Sequence, residues 1–218
     1  MCAVAGIRGQ FDGVATIRVV GEGSAGDHLA ALAQRHHRDV VLLDLIMSQH
    51  EGESVPEGGK LFDPELGITD VLTRFSDTRI LIISQEMRLP VIENLVNAGA
   101  NGYLLKDDAL STNLVTAVRT VYIGGACFSP EVTRAIMERR RERPQPDVLT
   151  EREKEILAHA IRYADSDNAE IAGVLGIAPT TYKWHLKNLR ETLGVHTHTA
   201  AVLKGLQMGL ADPDALTF

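Results

Sequence analysis

The stretch PTTYKWHLKNLRETLGV, residues 179–195, predicts a helix with one apolar and one basic face. At about 100° per residue, the apolar arc that must pack inward contains Tyr182, Leu186, Leu189 and Leu193. The opposite face, which points to solvent, contains Lys183, Trp184, Lys187 and Asn188, with Arg190 at its flank. The chain has a formal net charge of −7 and a single tryptophan. A large aromatic side chain in water normally has a partner, so this face is a candidate binding surface.

The turn VLGIAP joins this helix to another that is predicted at 168–175. Two helices joined by a short turn with a glycine form the helix-turn-helix pattern, in which the second helix enters the major groove of DNA. Lys183 and Lys187, one turn apart, would then reach phosphates or guanine edges.

Two alternatives to DNA binding stay open on this evidence. One is an ordinary solvated amphipathic helix, which the charge of residues 147–218 favours, with 7 Lys or Arg against 10 Asp or Glu. The other is an adaptor that uses this region for protein contacts. An adaptor is favoured if Trp184 is buried against another helix.

The region around this helix is predicted to be entirely helical from Leu149 onward. Thr150 and Glu153 form a capping box that opens a helix reaching about residue 161. Further helices are predicted at 168–175, 179–193 and 199–208, and the pair His196 and His198 is predicted to be solvated. These signals indicate an all-α four-helix domain over residues 149–218.

The first part of the chain alternates short apolar runs with segments of helical period, which predicts βα units around a parallel sheet. Strands are predicted at 17–21, 40–44, 80–84 and 103–106, and helices near 26–36, 68–75, 89–98 and 112–123. Runs such as VVLL and ILII indicate strands buried on both faces, so we expect an α/β doubly wound domain over 1–123. The polar segment 48–67 is predicted to be a surface loop, and 124–148 a linker with a helix and an extended connector.

Three predicted strand ends carry reactive side chains, which are Asp44, Ser84 and Lys106. In a doubly wound sheet, the carboxyl ends of the strands form the binding edge. Together these side chains could handle a phosphoryl group, with Asp44 as nucleophile, Ser84 as donor and Lys106 as counter-charge. The alternative is that Asp44 and Ser84 merely end strands and begin loops.

Composition narrows the class of protein further. Cys2 and Cys127 are far apart and suggest neither a disulfide framework nor a metal site. No apolar run approaches the roughly 20 residues that span a bilayer, and the first ten residues do not form a secretory signal, so we expect a cytoplasmic protein without membrane association. The patterns G-x-G-x-x-G, G-x-S-x-G and the P-loop are missing, so we do not expect an enzyme, and an enzyme on a flavodoxin-like sheet stays only a lesser alternative.

The segment LTEREKEIL…NAEIAGVLGIAPTTYKWHLKNLRETLGVHTHTAAV resembles the DNA-binding domain of the LuxR/FixJ (NarL) class of regulators. The resemblance implies double-stranded DNA as partner, a homodimer formed through the last helix, and a structural or positioning role for His185. The candidate DNA-binding residues are Thr181, Lys183, Trp184, Lys187, Asn188 and Arg190. One departure from the pattern is Ala178, which replaces the usual Ser or Thr helix cap.

The sheet region resembles the flavodoxin-like receiver domain of two-component response regulators, over residues 7–47 and 79–123. The resemblance implies phosphorylation of Asp44 by a sensor histidine kinase, a switch residue at Ser84, a rotating aromatic at Tyr103 and a phosphate-sensing Lys106.

This receiver-like domain is atypical, because the family's first strand and its Mg²⁺-binding acidic pair have no counterpart in the aligned sequence. Mg²⁺ is therefore possible but lacks its usual ligands. Two functions follow as expectations. One is a regulator whose receiver controls the helical domain through Asp44, and the other is a phosphorylation-independent regulator whose receiver-like domain serves dimerisation or partner binding.

Overall fold

The structure, a computed structural model, describes residues 7–36, 39–47, 49–50, 61–106, 110–142, 149–163 and 166–210. Four parallel strands form one sheet in the order β1-β2-β3-β4. Their ranges are β1 Val40–Asp44, β2 Arg79–Ser84, β3 Gly102–Leu105 and β4 Cys127–Phe128. The first three strands confirm three of the four predicted ones to within a residue.

Helices cover both faces of this sheet, as the apolar strand runs predict. Along β2, Ile80 and Ile82 face one core cluster, and Leu81 and Ile83 face a second one. Helix α1 His28–His36 precedes β1, and α2 Pro64–Arg74, α3 Leu89–Ala98 and α4 Leu110–Tyr122 lie between successive strands. All four of these side chains in β2 are at most 1% exposed, so the strand is buried on both faces.

The predicted strand at residues 17–21 is wrong. The segment lies outside the sheet and does not pair with β1. Ile17 and Val19 instead pack against the second core cluster together with Phe11, and Thr16 accepts a hydrogen bond from Arg119 of α4 at 2.9 Å. The segment therefore uses its apolar residues to cover one face of the sheet.

The fourth strand of the sheet was not predicted from the sequence. Cys127–Phe128 is only two residues long, and its register with Gly102 and Tyr103 is set by the neighbouring strand rather than by a pattern of its own. The predicted loop 48–67 is also too long, because Asp63 caps α2 through the Leu66 N–H and Pro64 occupies the first turn. Residues 48 and 51–60 of that loop lie outside the described residues.

The C-terminal region contains four helices, α6 Glu151–Arg162, α7 Asn168–Val174, α8 Pro179–Leu193 and α9 His198–Met208. Their bounds agree with the predicted helices to within one residue at each end. The close approach of α9 to α6 depends on Gly205, because a Cβ there would lie 2.8 Å from Ile161 and 3.0 Å from Leu157.

Helix α5, Pro130–Glu142, connects the sheet to this helical bundle. Its buried side chains Val132 and Ile136 belong to the same core cluster as Tyr103 of β3 and Leu203 of α9. Gln207 of α9 also donates a hydrogen bond to Glu93 of α3 at 2.9 Å. The predicted linker helix is thus part of a continuous core, and the extended connector that was predicted after it, residues 143–148, lies outside the described residues.

Candidate functional site

Helix α8 has the buried and exposed faces that its sequence predicts. Tyr182, Leu186, Leu189 and Leu193 are all buried. Pro179 begins the helix and Gly194 ends it at φ 66, a left-handed conformation that glycine adopts without strain. The N-cap residue Ala178 makes no side-chain hydrogen bond to the helix, as the departure from the pattern predicts.

The polar side of α8 faces solvent in the intact chain. Thr181, Lys183 and Lys187 are exposed, and Asn188 and Arg190 are partly exposed. The Trp184 side chain is 58% exposed, and its ring contacts His185 edge to face at a centroid distance of 4.9 Å. Trp184 is therefore not buried against another helix, which removes the observation that would have favoured an adaptor.

The turn before α8 is held by backbone hydrogen bonds around Gly176, whose φ is 65. The Gly176 N–H donates to the Gly173 carbonyl at 3.1 Å, and the Ile177 N–H donates to the Ala172 carbonyl at 3.0 Å. The preceding helix α7 begins with a capping box between Asp167 and Glu170. The sequence pattern D-x-x-E at 167–170 indicates this second capping box, which was not among the predicted features.

At the strand ends, the structure brings Asp44 and Lys106 together. The Lys106 ammonium contacts Asp44 Oδ2, and the Ile46 N–H donates to Asp44 Oδ1 at 3.2 Å. Ser84 is fully buried, and its hydroxyl accepts from the Glu86 N–H at 3.0 Å. The predicted convergence of Asp44 and Lys106 is thus present, whereas Ser84 bonds to the loop that follows its own strand.

Tyr103 lies inside the protein beneath that loop. Its hydroxyl donates to the Glu86 carbonyl at 2.5 Å, and burial raises the pKa of Tyr103 despite a hydrogen bond with Ser84. Ser84 and Tyr103 therefore both bind the segment that leads from β2 into α3.

The residues that the structure describes at the strand ends do not provide the ligands that the receiver family's Mg²⁺ requires. In the described ranges, no three His, Cys, Asp or Glu side chains are grouped so that they could hold a metal ion. Both Asp44 oxygens are engaged by Lys106 and by the Ile46 N–H. Since Mg²⁺ needs several oxygen ligands, the described residues do not fit that ion at this edge.

Comparison with known proteins places both regions in one family. Residues 147–204 match the family described as "Bacterial regulatory proteins, luxR family". The "Probable transcriptional regulatory protein NarL" of Mycobacterium tuberculosis is 32% identical over 199 residues, which cover 90% of this chain and 85% of that protein. The "Response regulator protein VraR" of Staphylococcus epidermidis is 30% identical over 195 residues, covering 89% of this chain and 86% of that protein.

A solved structure shows the same fold. The response regulator RcsB of Salmonella typhimurium superimposes with a TM-score of 0.53 at 20% sequence identity, covering 91% of this chain and 90% of RcsB. Among the helices that the structure describes, none has the length and apolar content to cross a membrane. This chain belongs to the LuxR/FixJ (NarL) class of response regulators, which are transcriptional regulators with a receiver fold and a helix-turn-helix domain.

Proposed function

We propose that this chain binds specific DNA sequences as a cytoplasmic homodimer, through the outward face of α8, and that it is not an enzyme. The observation that carries the proposal is the exposure of Lys183, Trp184 and Lys187 on the second helix of a helix-turn-helix in the intact chain. Lysines on such a helix suit phosphates and guanine edges, and Trp184 offers an apolar contact to a thymine methyl group.

Local charge must provide the affinity, because the whole chain is acidic with a net charge of −7. Each phosphate that a lysine neutralises releases counterions, so binding should weaken steeply with salt. The acidic remainder of the chain suppresses non-specific binding, which leaves a larger share of the affinity to contacts with base edges.

The homodimer follows from the two-fold symmetry of helix-turn-helix binding, in which half-sites lie about one helical turn apart. A structure of RcsB is described as two RcsB dimers bound to two parallel DNAs, and it supports this proposal by analogy of fold. The resemblance assigns dimerisation to α9. In this chain Ala201, Val202 and Leu206 of α9 are buried, so a dimer through their side of α9 requires the helix to leave its intramolecular contacts.

The proposal is tested by the double variant Lys183→Ala/Lys187→Ala. The probe is a duplex of about 30 base pairs, selected from a randomised pool by the full chain, so that it can hold two half-sites. We expect affinity to fall by at least about 100-fold and the dependence of affinity on salt to become shallower.

The matched control is Arg74→Ala, which removes a positive charge from α2 in the receiver region and should leave binding unchanged. Undiminished binding by the double variant, or equal losses in the control, would refute the assignment of α8.

We propose in addition that the receiver-like region works without phosphorylation, as a dimerisation or partner-binding module. Two observations favour this version, namely the engagement of both Asp44 oxygens within the chain and the misfit to Mg²⁺. Incubation with acetyl phosphate and Mg²⁺, followed by intact mass measurement, tests it. We expect no added phosphoryl group, and a phosphoryl adduct that disappears in Asp44→Asn would support control by a sensor histidine kinase through Asp44.

A further inference from the structure

Glu153 connects the first helix of the helical bundle to the C-terminal end of α8. Its Oε2 accepts from the Thr150 N–H at 2.9 Å and from the Thr150 hydroxyl at 2.7 Å, which closes the capping box of α6. Its other oxygen, Oε1, accepts from the Thr192 hydroxyl at 3.1 Å. One carboxylate therefore joins two helices that are 39 residues apart at these positions.

The side of α8 that contacts Glu153 and the basic face of α8 belong to one rigid helix, so they move together. Thr192 and His185 are seven residues apart, about two turns, so they lie on the same side of the helix. His185 therefore shares the Thr192 side of α8, and its ring contacts that of Trp184. A rotation of α8 about its axis would break the Thr192 contact and displace Trp184 together with the lysines.

We infer that Glu153 is a positioning residue for DNA binding, which holds α8 at the angle that presents Lys183, Trp184 and Lys187 through its hydrogen bond with Thr192. The inference rests on the proposed DNA-binding function of α8. Hydrogen bonds from Thr150, first from its side chain, lower the pKa of Glu153. The carboxylate is therefore charged at neutral pH, and a charged acceptor forms the stronger hydrogen bond.

A purely structural role for Glu153 must be separated from positioning, because capping boxes stabilise helices in any case. Substitution of Glu153 itself removes the cap of α6 and could unfold the bundle. Thr192 offers a cleaner test. It is exposed near the end of α8, and Thr192→Val removes the hydroxyl while it preserves the shape of the side chain.

The experiment measures the affinity of full-length Thr192→Val for the selected duplex, beside Thr192→Ser and the control Glu155→Gln. We expect Thr192→Val to bind about 3- to 10-fold more weakly, the equivalent of one hydrogen bond. Thr192→Ser keeps the hydroxyl and should restore wild-type affinity. Glu155→Gln removes a carboxylate on the same helix that pairs only with the exposed Arg152 in the described structure, and it should bind as wild type.

A second readout uses the fluorescence of Trp184, the single tryptophan of the chain. Thr192→Val should change the emission and the acrylamide quenching of Trp184, and Thr192→Ser should reverse the change. The inference is overturned if Thr192→Val binds DNA as wild type does, or if its emission is unchanged and Thr192→Ser fails to restore affinity. If Lys183→Ala/Lys187→Ala loses binding and Thr192→Val does not, the proposed function stands and only the positioning role is rejected. If the lysine variant also binds normally, the proposed function fails first.

Discussion

The basic face of α8 and the strand-end cluster hold their charged groups in opposite ways. On α8, Lys183 and Lys187 extend into solvent, and the contact of Lys187 with Glu191 at 3.8 Å is between two mostly exposed side chains, so it contributes little. At the strand ends, the Lys106 and Asp44 side chains are only 18% and 30% exposed and contact each other. The lysines of α8 are therefore accessible to a polyanion, whereas the charges at the strand ends are paired with each other.

Because of this difference, binding of a charged ligand is more favourable at α8 than at the strand ends. A solvated lysine that meets a phosphate loses water but gains a charge-assisted hydrogen bond and releases counterions. A cationic ligand that approached Asp44 would meet a partly desolvated carboxylate that Lys106 already neutralises, which opposes binding.

Acid should destabilise the C-terminal helical bundle through protonation of His198. This histidine is partly buried in the first turn of α9, and burial together with the charge of Arg190 lowers its pKa from 6.5 to about 4. The unfolded chain therefore binds more protons than the folded chain between pH 6.5 and 4. The free energy of unfolding has its full value above pH 6.5 and decreases as the pH falls through that window. We expect a loss of about 2 kcal/mol, after allowance for partial exposure.

Urea unfolding at neutral pH and near the lower end of that window measures the loss. The variant His198→Gln cannot take up the proton and should lose less stability on acidification. Equal losses in both proteins would show that His198 does not carry the effect.

His198 also illustrates which part of the structure is accessible from sequence. We predicted it to be solvated, whereas the structure leaves it partly buried, because its environment depends on how α9 packs in the bundle. By contrast, the bounds of α3 and α8 agree with the predicted 89–98 and 179–193, since periodicity, the proline in the first turn and the glycine at the C-terminus are local signals.

The errors in the sheet have the same origin. Residues 17–21 have the composition of a strand, but a strand also needs a neighbour in register, and in the structure Ile17 and Val19 pack over the sheet instead. The contact between Asp44 and Lys106 was predictable, because the carboxyl ends of parallel strands meet at one edge. The bond between Glu153 and Thr192 was not, because it depends on how two helices pack.

The ion pair at the strand ends should contribute more stability than an ordinary surface pair. Lys106→Met leaves the Asp44 carboxylate partly buried without its cation, and we expect a loss of about 1–2 kcal/mol in urea unfolding. Arg74 and Asp70 form an exposed pair on α2 at 2.8 Å, so Arg74→Met should cost less than about 0.5 kcal/mol.

Adding Asp44→Asn to Lys106→Met should recover part of the loss, because the unpaired charge is then removed. If Lys106→Met and Arg74→Met cost the same, the strand-end pair behaves as a solvated pair and the contrast with α8 disappears.

The smallest effect is expected at the helix caps, where the starts of α6 and α8 differ. Thr150 caps α6 with its side chain, whereas Ala178 provides no side-chain cap to α8. Thr150→Ala should therefore cost about 1 kcal/mol, and Ala178→Ser should stabilise the chain by a few tenths to about 1 kcal/mol. A lower urea midpoint for Thr150→Ala and a higher one for Ala178→Ser would show that a side-chain cap can be added at the start of α8 without disturbing the fold. If Ala178→Ser gave no gain in stability, packing would already fix the first turn of α8. The buried side chains of α8 alone would then determine how its exposed face is presented.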